Sequence, residues 1–236
     1  MAKDGAVHDN QTPSRVLKAA ARLFAERGFD HVSVRDICKE AGSNVASVNY
    51  HFGDKLGLYR ELIGSFAEGM NDARSSAFKA GAGRPPEEQL RTFIRGFLHQ
   101  LLDPNPEEAC WLEKLIAQEM TEPTPALDLI ISKGIKPATE RLTKLISEVM
   151  GLPADDPHVL MGMSATQGLC IWYRSSRTVA ERMFPELQFT PESIDWMAEF
   201  IADFSLAGLR AHMKKREETS EVAKSPMRHP KEERRT

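Results

Sequence analysis

Apolar residues recur every three to four positions along most of the chain, which is the spacing of one face of an α-helix. Val16, Ala20, Leu23 and Phe24 form the first such stripe, because they fall at positions i, i+4, i+7 and i+8. The alternation of apolar and polar residues that is typical of half-buried strands is almost absent. The sequence therefore predicts an all-α fold.

Residues that favour helix ends divide the first 75 residues into four helices. Ser33 and Asn44 are suited to cap the second and third helices, because their side chains can accept hydrogen bonds from unpaired backbone N–H groups. Gly42 between them is suited to end the second helix in a left-handed conformation. Thr12 and Asp54 are further candidate caps. The predicted helices span about 13–27, 34–41, 45–52 and 55–75.

Proline- and glycine-rich segments separate five further helices. The breaks lie at 81–90, 103–106, 121–125, 151–157 and 185–192. The predicted helices between them span about 86–102, 107–121, 126–150, 158–175 and 191–213.

Two further features follow from the same pattern. Pro137 lies inside the helix predicted at 126–150. Proline removes a helical hydrogen bond and clashes with a preceding carbonyl, so we expect a kink near Ile135. Residues 1–11 and 214–236 are poor in apolar residues and are predicted to be disordered tails.

Composition limits the class of protein. The 236 residues are 41% hydrophobic and 28% charged, which is ordinary for a globular protein. No run of eighteen apolar residues is present, so no membrane span is expected. Cys38, Cys110 and Cys170 are widely separated, so we expect neither a zinc site nor a disulfide framework. No metal or other cofactor is expected, and a reducing cytoplasm is the expected location.

The charge is uneven along the chain. Residues 11–60 carry eight Lys and Arg against five Asp and Glu, a net charge of +3, whereas residues 61–213 carry −8. Residues 214–236 again carry +3. A basic N-terminal region on an acidic remainder suggests a polyanionic partner for that region, although random surface charge also gives differences of this size.

The segment "AGSN" (41–44) joins the second and third helices like the turn of a helix-turn-helix motif. Val48 and Phe52, four positions apart, are predicted to face inward. The predicted outward residues of the third helix are Asn44, Val45, Ser47, Asn49, Tyr50 and His51. Asparagine can pair with adenine, valine can contact a thymine methyl group, and hydroxyl, imidazole or ammonium groups can bind phosphate. The pattern predicts insertion into a DNA major groove, although each residue singly is more typical of a solvated helix face.

Residues 12–62 resemble the N-terminal domain of TetR-family bacterial transcriptional regulators. The resemblance rests on "AAARLFAERGF", "SVRDICKEAG", "SVNYHF" and "DKLGLY". It implies that Val45, Ala46 and Asn49 read bases, and that Arg35 meets the DNA backbone or a flanking base. The implied phosphate-binding residues are Ser47, Tyr50, His51 and Lys55. The full set of implied DNA-contacting residues is Ser33, Arg35, Asn44, Val45, Ala46, Ser47, Asn49, Tyr50, His51 and Lys55. Ser43 departs from the family, which usually has an apolar residue there, and the departure bears on the entry angle of the third helix.

Most of residues 85–210 more narrowly resemble the CecR-like branch of the same family, on stretches such as "DPNPEEACWLEKLIAQEMTEPTPALDLI" and "KPATERLTKLISEVMGL". This resemblance implies a helical ligand-binding and dimerisation domain. We therefore expect a DNA-binding domain at 12–62 and a ligand-binding and dimerisation domain at 63–213. The helix at 55–75 joins the two and is the expected lever between them.

Two apolar stripes suggest where a dimer would form. The last helix has a seam with spacings of 3, 4 and 3 residues, and the helix before it has small residues that permit close approach. The predicted interface residues are Gly162, Ala165, Leu169, Ile194, Met197, Ile201 and Phe204. The alternative is that these residues form only an intramolecular core.

Methionine, aromatic and amide side chains mark a candidate ligand pocket, since such residues line adaptable apolar cavities. The candidates are Phe97, Trp111, Met120, Met161, Met163, Gln167, Trp172 and Tyr173. Residues of these types at helical spacing are more often ordinary core.

Three other functions compete with DNA-binding regulation. An enzyme would need clustered ionisable groups, but His99, His158 and His212 are scattered and no GxSxG, HExxH or phosphate-binding glycine loop is present. A thiol-based redox regulator is the second, because Cys110 lies near a helix start that favours a thiolate. A helical interaction module without specific DNA binding is the third. We expect a homodimeric repressor that a small apolar or amphipathic molecule releases from a palindromic operator.

Overall fold

The computed structural model describes residues 5–102, 108–186 and 188–224, with side chains at 12–102, 110–186 and 188–215. Regular structure within these residues is entirely helical, so the all-α prediction is confirmed. A π-helical turn, Ile130–Ile135, lies between the seventh and eighth helices. The helices are α1 (Gly5–Arg27), α2 (Val34–Ala41), α3 (Val45–Phe52), α4 (Lys55–Gly81), α5 (Pro86–Leu102), α6 (Glu108–Thr121), α7 (Leu127–Leu129), α8 (Lys136–Met150), α9 (Pro157–Ser175), α10 (Arg177–Met183) and α11 (Pro191–Lys224).

Both terminal helices are longer than the sequence pattern predicted. The predicted tails 1–11 and 214–236 are helical over 5–11 and 214–224. Extending an existing helix adds one hydrogen bond for each residue fixed, and 214–224 is rich in Lys, Arg and Glu, which are good helix formers. Residues 1–4 and 225–236, like the predicted break at 103–106, lie outside the described residues.

The kink predicted near Ile135 corresponds to the π-helical turn, which ends just before Pro137 in the first turn of α8. A proline cannot donate to the α-helical ladder, and a wider turn is one way to accommodate its ring. Gly134 in this turn lies against α4, where an added Cβ would stand 3.3 Å from Ala67. The irregular segment therefore packs directly on the helix that leaves the N-terminal region.

Buried apolar side chains form two clusters. The body core joins α5, α8, α9 and α11. The head core gathers α1, α2, α3 and the first half of α4, but it also includes Leu115, Ala126 and Ile130. Leu115 belongs to α6, Ala126 precedes α7, and Ile130 is the first residue of the π-helical turn. Packing thus crosses the domain boundary that we predict at residues 62 and 63.

No helix within the described ranges is both long enough and apolar enough to cross a membrane.

Candidate DNA-binding helix and the surfaces around it

Local hydrogen bonds fix the turn between α2 and α3. The Ser33 Oγ accepts a hydrogen bond from the Asp36 N–H at 3.2 Å, and the Asp36 carboxylate accepts one from the Ser33 N–H at 3.0 Å. Hydrogen bonds from Ser33 lower the pKa of the Asp36 carboxyl. Gly42 ends α2 with φ of 60°, a left-handed conformation that favours glycine. The predicted cap at Ser33 and the predicted helix stop at Gly42 are both confirmed.

A similar cap begins α3. The Asn44 Oδ1 accepts a hydrogen bond from the Ser47 N–H at 2.8 Å, which satisfies one of the unpaired donors of the first turn. The carbonyl of Asn44 is thus already used inside the protein, and its NH₂ group is the part left for DNA. The Ser47 residue itself is half-buried.

One residue anchors α3, and its neighbours face solvent. Val48 is fully buried in the head core, and Phe52 packs partly against that core. Tyr50 is 84% exposed, an unusual position for a large aromatic side chain. The other exposed residues on this helix are Val45, Ala46, Asn49 and His51. The structure therefore places the predicted base-reading set on one outward surface.

The angle between α3 and α4 depends on a glycine. Asp54 caps α4 by accepting a hydrogen bond from the Gly57 N–H at 2.7 Å. A Cβ added to Gly57 would stand only 2.0 Å from the carbonyl oxygen of Phe52, the last residue of α3. Because that atom belongs to the backbone, no side chain can move aside to relieve the clash. Gly57 thus permits the close approach that positions α3.

Lys55, a predicted phosphate-binding residue, is held by the loop after α1. Its Nζ donates a hydrogen bond to the Phe29 carbonyl at 3.1 Å and lies 4.3 Å from the centre of the Phe29 ring. An ammonium group carries three N–H donors, so two remain for another partner. The buried hydroxyl of Ser43 has no hydrogen-bond partner among the described residues, which is the local cost of a polar residue at this usually apolar position.

A buried carboxylate joins the head core to α6. Glu119 is 1% exposed and accepts hydrogen bonds from the Tyr59 hydroxyl at 2.8 Å, the Thr124 N–H at 3.0 Å and the Thr124 hydroxyl at 2.8 Å. Burial raises the pKa of the Tyr59 hydroxyl. We name Tyr59, Glu119 and Thr124 the junction. Sequence reasoning missed it and assigned α4 alone as the lever; an acidic residue four positions after the buried Leu115 was the available signal.

Most of the predicted dimer seam on α11 is buried within its own chain. Ile194, Met197 and Ile201 are almost fully buried in the body core of their own chain. Leu169 packs partly against that core, and a Cβ added to Gly162 would stand 2.5 Å from Leu209. Helical spacing identified an apolar stripe, but this stripe is used for intramolecular packing.

A second apolar stripe on α11, together with α9, faces solvent. Trp196, Phe200 and Phe204 follow one another at intervals of four residues, with successive rings stacked 6.3 and 6.4 Å apart. Helix α9 packs beside α11 and exposes its own apolar residues, together with Ala165. We name this surface the outer apolar face, whose large residues are each 44–71% exposed: Leu160, Met161, Ile171, Trp172, Trp196, Phe200 and Phe204. Of the predicted interface residues, Ala165 and Phe204 belong to it.

The eight pocket candidates do not converge on one cavity. Phe97 is buried in the body core, with Met163 and Tyr173 packed partly against it, whereas Trp111 packs against the head core. Gln167 is half-buried. The remaining three are more than half exposed, and two of them belong to the outer apolar face: Met120, Met161 and Trp172. Residue type alone does not distinguish buried core positions from exposed surface positions. These eight residues therefore do not line one pocket.

The cysteines are all free thiols. Burial raises the pKa of Cys38 and raises that of Cys170 to about 12, so neither thiol is activated. Cys110 is half-buried at the start of α6. Within the described residues, no group of three or more His, Cys, Asp or Glu side chains is placed to hold a metal ion.

Two family profiles match the chain. The profile of the tetR family of bacterial regulatory proteins matches residues 16–62. The profile of the C-terminal domain of the HTH-type transcriptional dual regulator CecR matches residues 86–209. The chain therefore belongs to the TetR family of transcriptional regulators, in the branch that carries the CecR C-terminal domain. Both predicted resemblances, and the predicted class of DNA-binding regulator, are confirmed.

Individual proteins agree with this assignment. The chain is 26% identical over 174 residues to the dual regulator CecR of Shigella flexneri, covering 71% of this chain and 78% of CecR. It is 25% identical over 202 residues to the transcriptional repressor NicS of Pseudomonas putida, covering 85% of this chain and 93% of NicS. The TetR-family regulator SCO4454 of Streptomyces coelicolor shares the fold, with a TM-score of 0.61, 17% identity and coverage of 85% and 96%.

Proposed function

We propose that this chain is a homodimeric, non-enzymatic repressor that binds a palindromic operator through α3 and releases it when a small apolar or amphipathic effector binds the C-terminal region. The observation that carries the proposal is the outward surface of α3, anchored by the buried Val48 and lined by Asn49 and the 84%-exposed Tyr50. Acting on DNA implies a cytoplasmic location.

The residues of α3 have separate roles in this proposal. Val45, Ala46 and Asn49 meet base edges, since short side chains let the helix backbone approach the groove and an asparagine can bond adenine through two hydrogen bonds. Ser47, Tyr50 and His51 bind phosphates and fix the register of the helix. Ser33 and Arg35 at the start of α2, Asn44 through its amide NH₂, and Lys55 at the start of α4 complete the contact surface.

In the proposed dimer, the outer apolar face of one protomer packs against the same face of a second copy. Exposed apolar surfaces built from several large residues mark interaction sites in soluble proteins. Stacking α9 and α11 of one protomer on those of its partner would give a four-helix interface with two-fold symmetry. A palindromic operator has the same symmetry, so each half-site would receive one copy of α3. Membership of the TetR family supports DNA binding through α3, and the repressor name of the relative NicS supports repression as the outcome.

Regulation would act on the spacing of the two α3 helices. The π-helical turn packs on α4, and α6 is joined to α1 and α4 through the head core and the junction. An effector that favours another arrangement of these elements would turn the head relative to the outer apolar face. A coupling of about 1–3 kcal/mol between effector and DNA is typical and changes operator affinity roughly 5- to 150-fold.

Selection of genomic DNA fragments by the purified protein at physiological salt tests the proposal. Enrichment of one palindromic sequence, lost or altered with Asn49→Ala and Tyr50→Ala, is the expected result. Weak, salt-sensitive binding without sequence preference, unchanged by these substitutions, would instead support a helical interaction module.

A further inference from the structure

An unpaired positive charge is buried in the middle of the body. Arg74 of α4 is 8% exposed. Its Nη1 donates a hydrogen bond to the Gly134 carbonyl of the π-helical turn at 3.0 Å, and its guanidinium lies 5.0 Å from the centre of the Phe97 ring. The Nε is buried without a hydrogen-bond partner, and among the described residues no carboxylate pairs with this side chain. Burial lowers the pKa of Arg74, with no neighbouring charge opposing the shift.

Several other arginines of the body have acidic partners. Arg174 pairs with Glu113, and Arg91 lies 3.0 Å from Glu199. These arginines are more exposed than Arg74, so they need a partner less. A buried ion without a counter-ion is costly because it loses its hydration and gains nothing in return. Arg74, the buried arginine, therefore lacks the counter-ion that a buried charge requires most.

Two further buried acceptors lie on the same stretch of α4 and on α5, which packs against it. Asn71 lies three positions before Arg74 on α4, and its Oδ1 has no hydrogen-bond partner among the described residues. The Gln100 Oε1 on α5 is also without one, while its Nε2 donates to the Met70 carbonyl at 3.1 Å. Buried polar atoms are rarely left without a partner in native proteins. These two acceptors and the Arg74 Nε are three buried polar atoms, on two facing helices, that are available to bond a polar ligand.

We infer that the effector of this regulator is an organic carboxylate, whose anionic group binds the Nε–Nη2 edge of Arg74. This inference rests on the proposed function for its regulatory meaning. A guanidinium and a carboxylate form two parallel charge-assisted hydrogen bonds, which a lysine cannot reproduce. A hydroxyl or N–H group elsewhere on the ligand would supply the donor that Asn71 or Gln100 lacks. The Phe97 ring contributes an apolar wall beside the anion.

The position of Arg74 connects this site to the head. Its Nη1 bonds Gly134 in the π-helical turn, and Ile130, the first residue of the same turn, is buried in the head core. An anion that draws the guanidinium towards itself competes with the Gly134 carbonyl for the same side chain. The turn would then shift where it packs on α4, and Ile130 would carry that shift into the head core.

Thermal unfolding of the full-length protein with matched probes tests the inference. The probes are octanoate, octanamide and octylamine, and 4-hydroxybenzoate with its amide and its benzylamine. Each triplet keeps the carbon skeleton and changes only the charged group. At millimolar concentration, at least one carboxylate is expected to raise Tm by about 3 °C or more, since a ligand that binds the native state stabilises it. The matching amide and amine are expected to leave Tm unchanged.

Three variants separate recognition from structural support. Arg74→Met is expected to abolish the increase in Tm that the carboxylate causes. Arg74→Lys is expected to weaken the apparent affinity for the carboxylate at least tenfold. Arg141→Met is the control, because Arg141 is exposed and donates to Ser75 beside Arg74. It should keep the shift. Without ligand, Arg74→Met should unfold at or above the wild-type Tm, since a methionine removes the buried charge; a purely structural arginine would instead give a lower Tm.

The inference is overturned if no carboxylate raises the wild-type Tm, if amide or amine matches the carboxylate, or if Arg74→Met keeps the shift. This readout does not involve DNA. If the wild-type protein selects no operator, the proposed function fails while the carboxylate result still decides the site. If Arg74→Met binds the operator like the wild-type but no longer releases it with the carboxylate, both stand.

Discussion

The outward face of α3 and the outer apolar face of α9 and α11 are both exposed, yet they differ in every other respect. The α3 face is small, mostly polar and held by one buried anchor, Val48. The outer apolar face spans two long helices and exposes two tryptophans and two phenylalanines. Water satisfies the polar groups of the first face until a polar partner replaces it, whereas contact between water and the second face is unfavourable.

This difference indicates two partners of opposite chemistry. Polar groups on a short helix provide hydrogen bonds that select among base pairs. Large apolar groups provide affinity with little chemical selectivity, which suits permanent contact with a second copy of the same surface. The junction and the π-helical turn join α4 and α6 to the head core, and the proposed function assigns the coupling between the two faces to them. Four substitutions address the comparison, in decreasing order of expected effect.

Phe200→Glu places a charge in the centre of the Trp196–Phe200–Phe204 stack. We expect a monomer, because the carboxylate would be desolvated in the interface. Operator affinity should fall on the order of 100-fold or more, since two linked α3 helices bind far more tightly than one. Sedimentation velocity and fluorescence anisotropy measure the two effects. Ala80→Glu, which adds the same charge at an exposed position of α4, should change neither.

Gly57→Ala disturbs the α3 face from behind. The new methyl group would meet the Phe52 carbonyl, so α3 must move relative to α4. We expect a loss of about 1–3 kcal/mol in the free energy of unfolding and at least tenfold weaker operator binding. Gly69→Ala on the same helix meets open space and should be neutral or slightly stabilising. If the two variants had the same stability and the same operator affinity, Gly57 would not be what positions α3.

Asn49→Ala alters base reading alone. A bidentate contact from asparagine to adenine contributes about 1–3 kcal/mol of discrimination. The variant should therefore bind the operator more weakly and distinguish single-base changes at one position in each half-site less well. Anisotropy with a set of mutated operators measures both. An unchanged ranking of those operators would mean that Asn49 does not read a base.

Tyr59→Phe weakens the junction that links the two faces, and it is expected to have the smallest effect of the four substitutions. It removes one of three hydrogen bonds that the buried Glu119 accepts, which should cost about 1 kcal/mol of unfolding free energy in urea. Tyr50→Phe makes the same chemical change at an exposed position and should leave stability unchanged. A loss of stability in Tyr50→Phe as large as that in Tyr59→Phe would contradict the assigned burial.

Sequence reasoning succeeded at most helix ends, where the cause is local; the predicted cap at Thr12 was wrong, because α1 begins at Gly5 and continues through Thr12. Ser33, Gly42, Asn44 and Asp54 all act at helix ends within a few residues of their partners. Capping depends on residue type and spacing of three positions, and both are visible in the sequence. The same holds for the proline-linked irregularity before α8.

It failed where the cause is tertiary. Helix α11 carries two apolar stripes, and a spacing of 3, 4 and 3 cannot tell which one the chain buries in its own core; the stripe through Ile201 was chosen, and the stripe through Phe200 is exposed. Arg74 and Tyr59 each meet their partner 60 residues away in the sequence. Such pairings depend on how helices pack, so the junction and the unpaired arginine became visible only in the fold.

The central claim is that the two α3 helices of one dimer bind the operator together. Footprinting of the selected operator tests this claim most directly. The account predicts two protected major-groove segments related by two-fold symmetry, with centres about 34–36 Å apart or a multiple of that spacing. Addition of the effector should remove both protected segments together. A single protected segment without symmetry, at a protein concentration that saturates the DNA, would contradict the account.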